Sequence, residues 1–291
     1  MTVGSMALRD LCTQYNISFK KQLGQNLLLD ENINRIMVDA AELESTDDVV
    51  EVGAGLGALT EVIAPKAGRL LAVEIDRDFM PCLEDRFGQT PNIRLFRGDI
   101  LNHSLPKLLD EYLPGGSTYK MISNLPYYIT TPVIFHFWES PVPFERLVVM
   151  VQEEVALRMV APVNGKEYGV LALAAQLYSE VELVHRVPNT CFRPQPKVDS
   201  CIVRLRRRST PVCADVDVRF MTRLIRSAFA HRRKTLRNSL TKSGSFGAPA
   251  EVVLEAFDAT GIDPSRRPQT LTLDEFAQLA QAIKVRLQQG N

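Results

Sequence analysis

The sequence predicts an α/β protein: a mostly parallel sheet of seven strands covered on both faces by helices, followed by a small helical domain. Three observations carry this expectation. Short β-branched runs alternate with helix-period segments through the first two thirds of the 291 residues. The connection between the last two runs has no room for a crossover helix. Beyond Arg208 the strand pattern stops and only helical patterns follow.

Strands are expected at 48–53, 69–75, 93–98, 119–124, 146–152, 181–187 and 201–206, with helices at 57–65, 77–87, 130–138 and 153–160. Strand, helix, strand repetition returns the chain to the same end of the sheet each time, so the strands run parallel. The segment 188–200 is too short for such a return, which makes the last strand pair antiparallel. Residues 209–214 read as a linker, and helices are expected at 217–230, 232–241, 250–260 and 274–287. Thr272 followed three residues later by Glu275 is a capping box at the start of the last. Two domains result, 1–209 and 210–291.

Composition places the chain among ordinary globular proteins, 45% hydrophobic and 23% charged. No apolar run reaches the ~18 residues of a membrane span. The longest, 170–177 and 147–151, read as a buried helix and a buried strand. The first ten residues lack the basic and apolar regions of a secretory signal. Five cysteines without a CxxC pair argue against a disulfide framework or a zinc site, so no metal and a cytoplasmic location are expected. Net charge is zero, but the segment 202–246 holds twelve Arg and Lys against Asp215 and Asp217. A solvated helix face would interleave the two signs, whereas a basic block on a neutral whole is the footprint expected for a phosphate backbone.

The first strand runs into Glu51-Val-Gly53-Ala-Gly55-Leu-Gly57. Glycines at a strand-to-helix turn permit positive φ and let a ligand approach the backbone at the carboxyl end of the sheet. The spacing is GxGxG rather than GxGxxG, and an acid precedes it inside the strand. Both features favour a nucleoside-sulfonium ligand over a pyrophosphate. Glu74 closes the second strand, where a carboxylate accepts ribose hydroxyls; a nicotinamide enzyme has an acid there too, so Glu74 does not separate the two. Asp99 follows the third strand. After Gly98 it can simply form a turn, but its position one βα unit past Glu74 favours contact with the adenine amine of the cofactor.

Asn124-Leu-Pro126-Tyr127 ends the fourth strand. The exocyclic amine of adenine is a poor nucleophile because its lone pair is delocalised into the ring. Catalysis must hold its hydrogens so that nitrogen becomes tetrahedral and faces a methyl group in line. An Asn side-chain carbonyl, with the backbone carbonyl before or at the proline, supplies two acceptors and no strong base. Tyr127 adds an aromatic face for a splayed-out base and a cation–π partner for a sulfonium.

These motifs, with Lys20-Lys-Gln-Leu-Gly24-Gln25-Asn26-Leu-Leu28, Val73-Glu74-Ile75-Asp76, Phe192-Arg-Pro194-Gln-Pro196-Lys197-Val-Asp199-Ser200 and Phe229-Ala-His-Arg232-Arg233-Lys234-Thr-Leu-Arg237-Asn238, make the chain resemble the KsgA/RsmA small-subunit rRNA adenine dimethyltransferases from end to end. The resemblance implies the class I methyltransferase fold, Rossmann-like with an antiparallel last strand pair, and S-adenosylmethionine as cofactor. It implies that Asn26, Leu28, Gly53, Glu74, Asp99 and Asn124 line the cofactor pocket; Gln25, Gly55, Ile75 and Ile100 complete the expected set. Asn124, Pro126, Tyr127 and Phe192 form the expected catalytic group, with Phe192 stacking on the target adenine opposite Tyr127. The implied substrate is two adjacent adenosines in a hairpin loop near the 3′ end of small-subunit rRNA, each dimethylated, in a ribosomal subunit or its assembly intermediate. Lys197, Arg226, Arg232, Arg233, Lys234 and Arg237 are the expected RNA contacts, although Lys197 equally suits a solvated loop. A monomer is expected. Leu27 stands where the family usually has Phe, and His231 where a polar amide is common.

Two other readings stay open: a large-subunit rRNA adenine methyltransferase conferring antibiotic resistance, and a non-catalytic nucleic-acid-binding factor. The run from Arg232 to Asn238 favours the small-subunit enzyme over the first, and the complete catalytic set counts against the second. His136 and Trp138 are expected to be packed residues.

Overall fold

The computed structural model describes residues 5–20, 24–208, 216–231, 233–241 and 247–289. All seven expected strands form, together with a two-stranded ribbon. In chain order the strands are β1 (Leu27–Leu28), β2 (Asp48–Val52), β3 (Arg69–Glu74), β4 (Ile93–Arg97), β5 (Tyr119–Asn124), β6 (Phe144–Gln152), β7 (Ser179–Val187), β8 (Phe192–Arg193) and β9 (Ser200–Arg207). The main sheet has the order β4-β3-β2-β5-β6-β9-β7, and β1 pairs with β8 apart from it. Strands β2, β3, β4, β5 and β6 pair parallel. The final strand β9 inserts beside β6 and runs antiparallel to it, Met150 opposite Ile202. This is the class I methyltransferase plan. The chain winds outward from β2 to β4 and then back past β2 to β5, so the carboxyl ends of β2 and β5 flank a topological switch point, where α/β sheets bind ligands.

The helices are α1 (Ser5–Gln14), α2 (Glu31–Ala40), α3 (Ala58–Ile63), α4 (Met80–Phe87), α5 (Leu105–Tyr112), α6 (Thr130–Trp138), α7 (Glu153–Met159), α8 (Val170–Tyr178), α9 (Val218–Phe229), α10 (Leu236–Thr241), α11 (Ala250–Thr260) and α12 (Leu273–Gln289). Those in the first two thirds cover the sheet: every residue of β2 is buried, as a strand covered on both faces requires. Helix α2, which the sequence reading passed over, starts where the Asp30 side chain accepts the Asn32 N–H at 2.9 Å. The helix expected at 232–241 forms only from Leu236, because the Leu236 and Arg237 N–H groups bond across to Arg266 O and Pro264 O. At α12 the capping box closes both ways: Glu275 N–H to Thr272 Oγ1 at 3.1 Å, Thr272 N–H to Glu275 Oε2 at 2.8 Å.

Contacts divide the chain into two units, Met1–Ala156 with Val181–Arg207 and Leu157–Glu180 with Arg208–Asn291. A single cut at 209 is therefore not how the chain packs. Helix α8, assigned by the sequence to the first domain, shares a core with α9, α11 and α12: Ala172, Leu173 and Leu177 lie in one cluster with Leu224, Phe257 and Phe276. An apolar run such as 170–177 suits either core, so only packing decides. The expected linker at 209–214 lies outside the described residues.

Candidate active site

A pocket of about 940 Å³, its open mouth included, lies at the switch point. Four strand ends build it. After β2 the chain turns back at Gly53, whose N–H bonds to Val73 O at 2.8 Å. Gly53 and Gly55 take φ of 78° and 59°, and a Cβ on Gly55 would come within 3.3 Å of Leu27 Cδ2. The positive φ, more than that approach to a flexible side chain, is why glycine stands there. β3 delivers Glu74 and Ile75, β4 delivers Asp99 and Ile100, and β5 delivers Asn124; all of them line the pocket. Val52, Val73, Phe79 and Ile100 give it apolar walls, and among the described residues no Lys or Arg lines it. Carboxylates without cations suit a nucleoside sulfonium and oppose a pyrophosphate.

The electrostatics beneath the glycine turn are unusual. Glu74 is 5% exposed; its two oxygens accept the Gly55 and Asp76 N–H groups, each at 2.7 Å. Burial nonetheless pushes its carboxyl above the usual range. Glu51, deeper still, accepts from Thr60 Oγ1 at 2.6 Å, while Oε1 has no partner among the described residues. Burial, reinforced by the nearby Glu74, pushes Glu51 up to about 8. A carboxyl with a raised folded pKa binds its proton more tightly in the native state, so stability falls as pH climbs from the unfolded value towards 8. Thermal midpoints measured from pH 5 to 8 should therefore decline more steeply for the native chain than for Glu51→Gln. Parallel curves would mean that Glu51 is already ionised at pH 5.

The N-terminal segment reaches the pocket through Gly24, Gln25, Asn26 and Leu27. Gln25 is tied down at both ends: Oε1 accepts the Lys20 N–H and Nε2 donates to Asp76 Oδ2, both at 2.7 Å. Lys20 Nζ bridges Asp76 at 2.5 Å and Asp78 at 2.6 Å. Gln25 thus fastens the segment to the end of β3. Asn26 Nδ2 donates to Gly24 O at 3.0 Å. Leu28 does not line the pocket, contrary to expectation. It is 7% exposed in the core below, opposite Phe192 across the β1–β8 ribbon, and Leu27 takes the pocket position instead. Successive strand side chains point to opposite faces, so the two leucines have different surroundings.

Asn124 is half-buried at the pocket, and its side-chain amide has no hydrogen-bond partner among the described residues. Pro126 also lines the pocket, but its carbonyl already accepts the Ile129 N–H at 3.1 Å and Thr130 Oγ1 at 3.3 Å. Tyr127 is held by a 2.7 Å hydrogen bond to Ser200 Oγ on β9, and Ser200 is fully buried. The sequence reading missed Ser200 as a support. It also missed Tyr128, which lines the same pocket and is 54% exposed. Phe192 lines the pocket floor and is only 1% exposed. His136 and Trp138 are packed: burial pulls the imidazole below its usual pKa, and Trp138 is buried.

The basic block is smaller than its sequence count. On β9, Arg204 pairs with Glu42 at 2.7 Å and with Glu182, and Arg206 reaches Glu42 at 3.6 Å; just past the strand, Arg208 reaches Glu180 at 3.7 Å. These side chains are engaged within the fold. Arg226, Arg233, Lys234 and Arg237 are exposed in the second unit, and Lys197 is exposed in the first. Arg232 lies outside the described residues.

The model of the ribosomal RNA adenine dimethylase family matches residues 16–284. The ribosomal RNA small subunit methyltransferase A of Bacillus mycoides is 41% identical over 276 residues, 94% of each chain. Among solved structures, a dimethyladenosine transferase from Plasmodium falciparum superposes with a TM-score of 0.71 at 25% identity, covering 87% of this chain and 95% of that one. The 23S rRNA methyltransferase ErmE shares the fold, with a TM-score of 0.62 at 24% identity over 89% and 99% of the two chains.

Proposed function

Because the chain belongs to the ribosomal RNA adenine dimethylase family, we propose that it dimethylates N6 of two adjacent adenosines in a hairpin loop near the 3′ end of small-subunit rRNA. The observation that carries this reading is Asn124-Leu125-Pro126-Tyr127 at the switch point, across from Gly53 and Glu74. S-adenosylmethionine supplies an electrophilic methyl group on a sulfonium sulfur. Glu74 accepts the ribose hydroxyls with its remaining lone pairs, and Asp99 accepts from the adenine amine. Asp99 also accepts the Leu101 N–H at 3.0 Å, which fixes its direction. Asn124 Oδ1 takes one hydrogen of the target amine. The second acceptor is the Leu125 carbonyl, since that of Pro126 serves the turn that follows. Held by two acceptors, the amine nitrogen turns its lone pair towards the methyl group, and its surplus proton leaves after transfer. Tyr127, braced by Ser200, supplies a stacking face for the base, whereas Phe192, 1% exposed in the core, underlies the pocket rather than presenting a free face.

On this reading the chain acts as a monomer in the cytoplasm, on a ribosomal subunit or its assembly intermediate. Among the described residues no helix is long and apolar enough to cross a membrane. The exposed cations of the second unit contact phosphates. Replacing Arg233, Lys234 and Arg237 with Gln should then lower the slope of log K against log[salt] for rRNA binding by roughly two units. An unchanged slope in salt-titrated binding would mean that they face elsewhere.

The test of function is labelled methyl transfer into under-methylated small subunits, with large subunits and naked rRNA in parallel. Dimethyladenosine in small subunits is the expected product. Label in large subunits alone would overturn the assigned substrate, and absence of label with the cofactor bound would overturn catalysis.

A further inference from the structure

The two adjacent tyrosines after Pro126 have different surroundings. Tyr127 is anchored by Ser200, 73 residues along the chain, and belongs with Phe192 on the side of the target base. Tyr128 has no such anchor among the described residues. Its ring lies against Gly24, where a Cβ would come within 3.2 Å of Cδ1 and 3.5 Å of Cε1. It lines the same pocket as Glu74 and Asp99, yet 54% of its surface remains exposed. Burial, then the charges of Asp99 and Glu74, push its phenol above the ordinary range. The ring lies against the N-terminal segment at Gly24, in the pocket that Glu74 and Asp99 also line. Gly24 leaves room for it, and Gln25, pinned to Asp76, keeps that segment in place.

We propose that Tyr128 is a cofactor-retaining residue: it packs beneath Gly24 and closes the nucleoside end of the pocket, while Tyr127 serves the target adenine. This deepens the pocket assignment made above and rests on it. An aromatic ring at that place covers one face of the bound nucleoside and excludes water from its contacts with Glu74 and Asp99. The ring, more than the hydroxyl, is the working part.

The experiment measures S-adenosylhomocysteine binding to the full chain by calorimetry, with the KM for small subunits measured alongside. Tyr128→Ala should weaken binding about tenfold, the size of one lost aromatic contact, and Tyr128→Phe should stay within about threefold of native. The KM for subunits should hardly change. Tyr128 is exposed enough for both variants to fold, and their unliganded melting points check this. Unchanged affinity in Tyr128→Ala, or a rise in subunit KM without loss of cofactor affinity, would overturn the proposal and make Tyr128 an RNA contact or a bystander. Glu74→Ala serves as the reference. If it loses binding while Tyr128→Ala does not, only the Tyr128 proposal fails; if it binds normally, the pocket assignment itself fails.

Discussion

Asn124→Ala is expected to lower turnover by on the order of 10³ while leaving cofactor affinity nearly native. Asn124 ends β5 at the pocket, and its amide is free of the hydrogen bonds that hold Gln25 and Asn26. Its side chain therefore has little structural duty to lose, and the fold should survive its truncation. What is lost is an acceptor for one hydrogen of the target amine, leaving the nitrogen planar and its lone pair delocalised. That contact matters most as the nitrogen becomes tetrahedral, so the loss should fall on kcat rather than on KM. Asn124→Asp keeps an acceptor and should retain more activity than alanine. Single-turnover transfer from labelled S-adenosylmethionine separates chemistry from product release. Near-native rates for Asn124→Ala would remove it from the reaction.

Glu74→Ala should weaken S-adenosylhomocysteine binding roughly a hundredfold, because one buried carboxylate has two tasks. It is expected to hold the ribose hydroxyls, and it already holds the Gly55 and Asp76 N–H groups at 2.7 Å. Glu74→Gln is a sharper probe. Its amide nitrogen cannot accept an N–H, so one backbone donor would face another, and the damage should approach that of alanine. The raised pKa adds a pH signature. Ligand hydroxyls that donate to Glu74 favour its charged form, so binding pulls the pKa down. Affinity should consequently tighten as pH rises through the unliganded pKa. Calorimetric titrations begun at the ordinary carboxylate pKa and carried upward read this directly, and a flat profile would place the hydroxyls elsewhere.

The sequence by itself determined the sheet, the glycine turn and the place of the Asn124–Tyr127 tetrapeptide at the end of β5. Strands β2, β3 and β6 are largely apolar, buried runs because both faces of a parallel sheet are covered, and that pattern is local. The glycine spacing, Glu74 at a strand end and the Thr272–Glu275 box are legible for the same reason: each depends on neighbours a few residues away. Tertiary structure alone decided the rest. Leu27 rather than Leu28 faces the pocket because β1 pairs with β8, whose Phe192 lies far along the chain. Gln25 is directed to Asp76, 51 residues on, rather than left free for the ligand. The arginines of β9 looked available for RNA until Glu42, 162 residues before Arg204, was seen to pair with them. Helix α8 joined the second unit because its apolar face found Leu224 and Phe276 there. In each case the deciding partner is remote in sequence. Spacing and propensity record what a residue can do, whereas packing selects which partner it does it with.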